Sequence, residues 1–274
     1  MPRNTLQQVI DSTYQEIYVY KPASTTEASR EWASSWPLVG IPTGGIYTIG
    51  DISGSALYMS TTGAIQYVNA SPGKYNYVSS FQKTINTPSS AGGGACPTML
   101  LDRLWQNTGI SVTTTTAQTI NSSAWPARDN SGLSTGYSVY VALEVGATTT
   151  NASAVTTIQI SYTNTDGVSG RTGYIPTFPA TAVANTFCPF SIQGPDRGVK
   201  SIESITLGTS LGAGTVHLVV YRYILGHYPL MSSIPTNIYT SGFNKIYNDS
   251  CLFLPTCSSS ASVAYVATMR LFEA

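Results

Sequence analysis

The stretch YSVYVALEVG, residues 137–146, sets Tyr137, Val139, Val141, Leu143 and Val145 at alternate positions, and this period of two restricts the fold more than any other feature. Successive side chains of a strand leave opposite faces, so such a run lays one face on a core. The pattern recurs in TTIQISYT, SIESITLGT and TVHLVVYRYIL, and β-branched residues crowd SVTTTTAQTI. Gly, Asn and Ser turns separate these runs. Strands at such short intervals predict a mainly β chain whose centre, residues 96–225, is an antiparallel β-sandwich or jelly-roll-like domain.

One turn invites a functional reading. Asn164-Thr165-Asp166-Gly167 lies between two extended runs, and Asp166 could serve a metal. Calcium takes about six to eight oxygens, and Asp166 is the only carboxylate between Glu144 and Asp196. Asp-Gly is also a strong hairpin signal, because glycine takes the positive φ of a tight turn. The turn reading is preferred.

The flanks read differently. Thr5 to Ile17 carries Leu6, Val9, Ile10 and Tyr14 at helical spacing, and Thr25 to Trp32 suits a second short helix that stops near Pro37. Residues 1–45 are therefore expected to be an arm with short helices. Residues 46–95 form a small β region, with a hairpin around Thr61-Thr62-Gly63 and a flexible joint at Pro88 to Gly94. Met99, Leu100, Leu101, Leu104 and Trp105, with Asp102 and Arg103 between them, suit a short helix or turn. Residues 226–274 read as an extended arm ending in a strand, VAYVATMRLF, that completes a sheet or pairs with another subunit.

Composition narrows the function. Charged residues make up 9% of the 274 residues and the formal net charge is zero, against about 25% charged in an ordinary domain. No Lys/Arg cluster occurs, so a nucleic-acid partner is not expected. No apolar run approaches membrane-spanning length, and the first residues lack a signal-peptide pattern. A neutral, hydroxyl-rich surface repels itself little, which hints at coverage in an assembly. Cys96, Cys188, Cys251 and Cys257 lack zinc-ligand spacing. Buried free thiols are preferred over a Cys251–Cys257 bridge.

A search for chemistry returns little. Neither His217, read as a half-exposed strand residue, nor His227 accompanies a G-x-S-x-G motif. Gly92-Gly93-Gly94 is not followed by Lys-Ser or Lys-Thr, so no phosphate loop and no cofactor motif is present. A glycosidase needs two convergent carboxylates. Asp102, Asp129, Glu144, Asp166, Asp196 and Glu203 are the candidates, but Asp129, Asp166 and Asp196 sit in turn sequences, and Asp102 and Arg103 suit a cap or local pair. Trp32, Trp36, Trp105 and Trp125 with the tyrosines could stack sugars, although core packing and subunit contacts explain them more simply. No catalytic, cofactor or metal residue is assigned.

The run LDRLWQNTGISV through VALEV, followed by TTIQISYTNTDGVSGRTGY through HLVVYR, resembles structural proteins of tailed bacteriophages over residues 97–225. The resemblance implies a virion component made in the host cytoplasm, with no catalytic motif to carry over, and does not distinguish head from tail. The expectation is a non-enzymatic capsid decoration or cement protein, homo-oligomeric, binding the major capsid protein or other virion proteins. Its contacts are placed on Leu6, Val9, Ile10, Trp32 and Trp36 of the N-terminal segment and on Tyr228, Ile234, Tyr239 and Phe243 of the C-terminal arm. Deleting residues 1–45 should then abolish association and leave the sandwich folded. The alternative is a fibre or receptor-binding module at the head or tail that recognises a cell-surface glycan.

Overall fold

The computed structural model of the chain describes residues 14–23, 31–85, 97–228, 236–237, 244–257 and 264–274. Among these residues every regular element is a strand, and every strand pairing is antiparallel. They form three sheets packed as a sandwich, as the alternating runs predict.

The central sheet runs in the order β10 (Phe187–Pro189), β7 (Val139–Ala147), β12 (Thr215–His227), β5 (Thr98–Gln106), β16 (Pro255–Cys257) and β2 (Trp32–Ser34). Two short strands, β3 (Ser55–Ala56) and β15 (Leu252–Phe253), also pair with β5. A second sheet is β6 (Gln118–Thr119), β11 (Val199–Thr206), β8 (Gln159–Asn164) and β9 (Arg171–Tyr174). The third is β1 (Tyr14–Lys21), β17 (Tyr265–Glu273), β4 (Asn76–Ile85) and β13 (Thr236–Asn237), with β14 (Lys245–Ile246) also on β4.

The long strand β12 ties the layers together. Val216, Leu218 and Val220 share a core with Val139, Val141, Leu143 and Val145 of β7 and with Ile160, Tyr162, Ile202 and Ile205 of the second sheet. Further along, Ile224 and Leu225 meet Ile17, Val19, Phe81, Met269 and Leu271 of the third sheet. Val219 and Tyr221 enter another core, where Trp36, Leu57 and Ala64 cover the central sheet. The central sheet is thus buried on both faces. That explains why TMLLDRLWQ of β5, buried at every position, shows no alternation.

Several expectations are corrected here. The helix placed over Thr5–Ile17 is, from Tyr14 onward, the strand β1, which pairs residue by residue with β17 from Tyr14↔Phe272 to Lys21↔Tyr265. Trp32, placed at the end of a second helix, lies in β2; residues 1–13 and 24–30 are outside the described residues. The short helix read near Met99–Trp105 is β5. The hairpin at Thr61-Thr62-Gly63 does not form: Ser55–Ala56 pairs with β5, and Ile65 bridges to Leu252. Long-range pairing outcompetes the local turn, because both segments find partners on an already buried sheet. The joint at Pro88 to Gly94 falls outside the described residues. VAYVATMRLF does complete a sheet, as β17 between β1 and β4.

Deletion of residues 1–45 would take away parts of this fold. It would remove β1, β2 and Trp36, whose side chain is wholly buried. It would also remove Lys21, whose ammonium donates to the Leu38 and Pro42 carbonyls at 2.7 Å each.

Candidate functional site

The carboxylates that sequence alone left open are mostly engaged in structural contacts. Asp102 and Arg103 are consecutive on β5, so their side chains leave opposite faces. Asp102 accepts from Arg128 Nε and Nη2 at 3.1 Å each, from Ser250 Oγ at 2.7 Å and from the Cys251 N–H at 2.9 Å. Arg222 Nη2 lies 3.7 Å away. Burial alone would push the Asp102 carboxyl up, but Arg128, Arg222 and Ser250 outweigh it and hold the group below the usual range. On the other face, Arg103 pairs with Glu144, donates to Gln106 Oε1 and stacks on Trp36, with its guanidinium carbon 4.6 Å from the ring. Both ions of that pair are wholly buried. The local pair or cap expected of Asp102 and Arg103 is replaced by two separate buried ion clusters, built from residues far along the chain.

Asp129 and Asp166 lie in turns as the sequence suggested, whereas the carboxylates of Asp196 and of Glu203 on β11 bind across to β8 and β9 or the turn between them. Asp129 accepts from the N–H groups of Ser131, Leu133, Thr135, Gly136 and Tyr137 and from two hydroxyls, which fastens the 129–137 loop. Asp196 accepts from Arg171 Nε, Tyr162 Oη and Asn164 Nδ2. Glu203 accepts from Ser161, Thr163 and the Gly170 N–H. At the Asn164–Gly167 tip, Asn164 Oδ1 caps the Asp166 and Val168 N–H groups, Gly167 has φ +79°, and Asp166 is exposed. The tip is a hairpin turn between β8 and β9.

The other polar candidates are also internal. His217 is buried, not half-exposed: it stacks on Tyr47 at 4.9 Å, with Nδ1 3.1 Å from the Asn107 carbonyl. Only 4% of its surface is exposed, so it is closed off from solvent. Desolvation lowers its pKa and favours the neutral ring. Cys251 is a buried free thiol, so no Cys251–Cys257 bridge forms. Burial, with the Glu31 carboxylate adding, pushes the Cys188 thiol up to about 12, which suppresses the nucleophilic thiolate. Among the described residues no group of three or more His, Cys, Asp or Glu is placed to hold a metal ion.

The residues assigned to contacts scatter. Trp36 is enclosed in the core and its indole is unavailable to another chain. Trp32 lines a mainly apolar cleft of about 440 Å³ with Pro176, Phe187, Cys188 and Pro189. Tyr228 is 60% exposed. Leu6, Val9, Ile10, Ile234, Tyr239 and Phe243 lie outside the described residues.

Two surfaces were not anticipated. The first is the outer face of the β1–β17–β4 sheet. Ile17, Val19 and Lys21 of β1 point inward, which leaves Tyr14, Tyr18 and Tyr20 exposed. Ile41, held beside Tyr20 by a backbone bridge, is exposed as well, as is Val39 two residues before it. The alternation in YQEIYVYK carries the signal for this face, once the segment is read as strand.

The second is a polar cleft of about 360 Å³ lined by Lys74, Tyr75, Arg128, Ser131, Lys245 and Tyr247, among others. The Tyr75 and Tyr247 rings meet edge-on at 5.9 Å. Lys245 Nζ lies 3.7 Å from the Tyr75 ring centre and 5.3 Å from that of Tyr247. Lysine one or two residues from tyrosine in both Lys74-Tyr75 and Lys245-Ile246-Tyr247 was the available sequence signal.

No family model and no curated protein matches the chain. Among solved structures, the Gx strain of infectious bursal disease virus matches at 12% identity and TM-score 0.20, over 100% of this chain and 82% of that one. The VP2 subviral particle of the same virus gives the same values. The Gt strain gives 13% and 0.21, over 100% and 83%. At such TM-scores the backbones do not superpose as one fold, and the likeness carries no argument about this chain.

Proposed function

We propose that the chain is a non-enzymatic structural component of a virus particle, and that it acts as a decoration or cement protein on the assembled head. The observation that carries this reading is the exposed Tyr14, Tyr18 and Tyr20 face, continued by Val39 and Ile41. Tyrosine brings large contact area with a polar tip and suits interfaces that are partly wet. The face belongs to a chain with 13 acidic and 13 basic residues among 274, which has little charge to keep copies apart. The tailed-phage resemblance of residues 97–225 points the same way, and Asp102, Glu144 and His217 are engaged in contacts within the fold.

The mechanism is mass action. A protein that binds only the assembled shell stabilises it by the free energy of binding, so the effect grows with free protein concentration. The partners are then the major capsid protein and further copies of this chain. To test this, purified protein is added to shells assembled without it, and shell melting is followed. The shell melting temperature should rise and saturate, and Tyr18→Glu with Tyr20→Glu should remove the rise while the protein's own melting changes little. Shells that melt identically with and without the protein would overturn the reading.

A further inference from the structure

The cleft between the 129–137 loop and the β14 segment carries an unbalanced positive charge. Lys74 is paired with Glu273, and Arg128 with Asp102. Arg222 stands behind Tyr247, its guanidinium carbon 4.9 Å from the ring; it donates to the Lys245 carbonyl and shares Asp102 with Arg128. The Nε and Nη2 atoms of Arg222 are buried without a hydrogen-bond acceptor. Asp129, the remaining carboxylate close to Tyr247, is committed to the N–H groups of its own loop. Lys245 is left over: among the described residues its ammonium faces only the two tyrosine rings. Burial and the nearby Arg222 both disfavour its charge, and a bound anion would reverse that imbalance.

The walls add a second requirement. The Tyr75 and Tyr247 rings stand perpendicular, with Lys245 over the face of Tyr75 and Arg222 over that of Tyr247, and both tyrosines and Ser131 line the cleft. Flat aromatic faces suit the C–H face of a sugar, and the hydroxyls suit its polar edge. Cavities of about 300–1,000 Å³ take small ligands, and this one measures about 360 Å³. The cleft is also preformed. Tyr67 Oη donates to the Tyr247 carbonyl at 2.8 Å, and Asn248 exchanges two hydrogen bonds with the Ala70 backbone. Gly132 passes so close to Tyr247 that a Cβ there would lie 3.2 Å from the ring.

From these contacts we infer that the cleft binds an acidic saccharide unit, with the sugar's carboxylate or sulfate on Lys245 and its ring against Tyr75 and Tyr247. The inference does not rest on the shell-binding reading, since a protein held on a particle and one free in solution present the same cleft.

The full chain is titrated calorimetrically with three probes: a uronic-acid oligosaccharide, a neutral oligosaccharide of equal length, and inorganic sulfate. The uronic-acid oligosaccharide should bind in the micromolar to millimolar range, on the order of tenfold tighter than either control, and more weakly as salt screens the charge. Lys245→Gln should weaken it by about the same factor, Lys245→Arg should restore much of the binding, and Tyr75→Ala should weaken the oligosaccharide by a larger factor than sulfate. The melting temperature of each variant is read in parallel; if Lys245→Gln fails to fold, the Arg and Tyr75 variants decide. Equal binding of acidic and neutral oligosaccharides, binding as tight for sulfate alone, unchanged binding in both the Lys245→Gln and Tyr75→Ala proteins, or no binding of the acidic probe would each overturn the inference.

Discussion

Asp102 and Arg103, neighbours on β5, do not pair with each other; each crosses to a different core and closes a different buried ion cluster. The pair therefore locks β5 to Arg128 and Arg222 on one face and to Glu144 on the other.

Removing one partner of such a cluster should be severe. Asp102→Asn leaves Arg128 and Arg222 buried without their counter-ion and is expected to destabilise the fold by about 3–5 kcal/mol. Arg103→Met should do the same through Glu144, while adding Glu144→Leu should recover most of the loss, because a well-packed apolar pair can replace a buried ion pair. The exposed pair Glu16–Arg270, 3.7 Å apart on the paired strands β1 and β17, is the control: Arg270→Ala should change stability by about 1 kcal/mol or less. Urea unfolding of the variants measures these differences.

β1, β2 and Trp36 are built into the fold. Deletion of residues 1–45 is expected to yield a chain without a cooperative thermal transition, and Trp36→Ala alone should cost about 3–5 kcal/mol. A truncated protein that melts like the full chain would show that β1, β2 and Trp36 are dispensable.

Two glycines with similar backbone angles should respond differently. Gly167 has φ +79° and open space around a would-be Cβ, so Gly167→Ala pays only the left-handed backbone penalty, about 1–2 kcal/mol. Gly54 has φ +71°, and a Cβ there would lie 2.2 Å from Trp105 and 2.5 Å from the Gln106 carbonyl oxygen. Gly54→Ala should be clearly the more destabilising, and equal melting temperatures for the two variants would contradict the packing described.

Acid should loosen the β8–β9 end of the sandwich. The Arg171 hydrogen bond, with Tyr162 and Asn164 adding, holds Asp196 down to about 2, against about 3.9 in an unfolded chain. The folded state binds this proton less tightly, so the carboxylate stabilises the fold above about pH 4, and its contribution is lost as pH falls toward 2. Asp196→Asn should lower the melting temperature at neutral pH and flatten its decline between pH 4 and 2. Parallel melting curves for wild type and variant over that range would argue against the Arg171–Asp196 pairing.

What could be read from the sequence follows physical range. β8 and β11 were legible because each has one face on a core, and alternation is a local signal. β7 and β12 are buried on both faces but were legible because valines and leucines at alternate positions, with Tyr140 and Glu144 or His217 and Tyr221 between them, still mark them as strands. The Asn164–Gly167 turn was legible because its chemistry lies within four residues. β5 was misread because burial on both faces erases alternation, and Asp102-Arg103 inside an apolar run imitated a helix surface. Their partners Arg128, Glu144 and Arg222 carry no local mark of the pairing. The cleft was invisible for the same reason: Tyr75 and Tyr247 meet only after β14 pairs with β4.

The proposed role of the chain is that of a structural protein covering the whole shell. Its copy number in purified particles, measured by quantitative mass spectrometry against the major capsid protein, tests that most directly. Hundreds of copies per particle, in a fixed ratio to the capsid protein, are expected. Absence from the particle would contradict the account, and a dozen or so copies would contradict decoration of the head and place the protein at the tail, neck or a vertex.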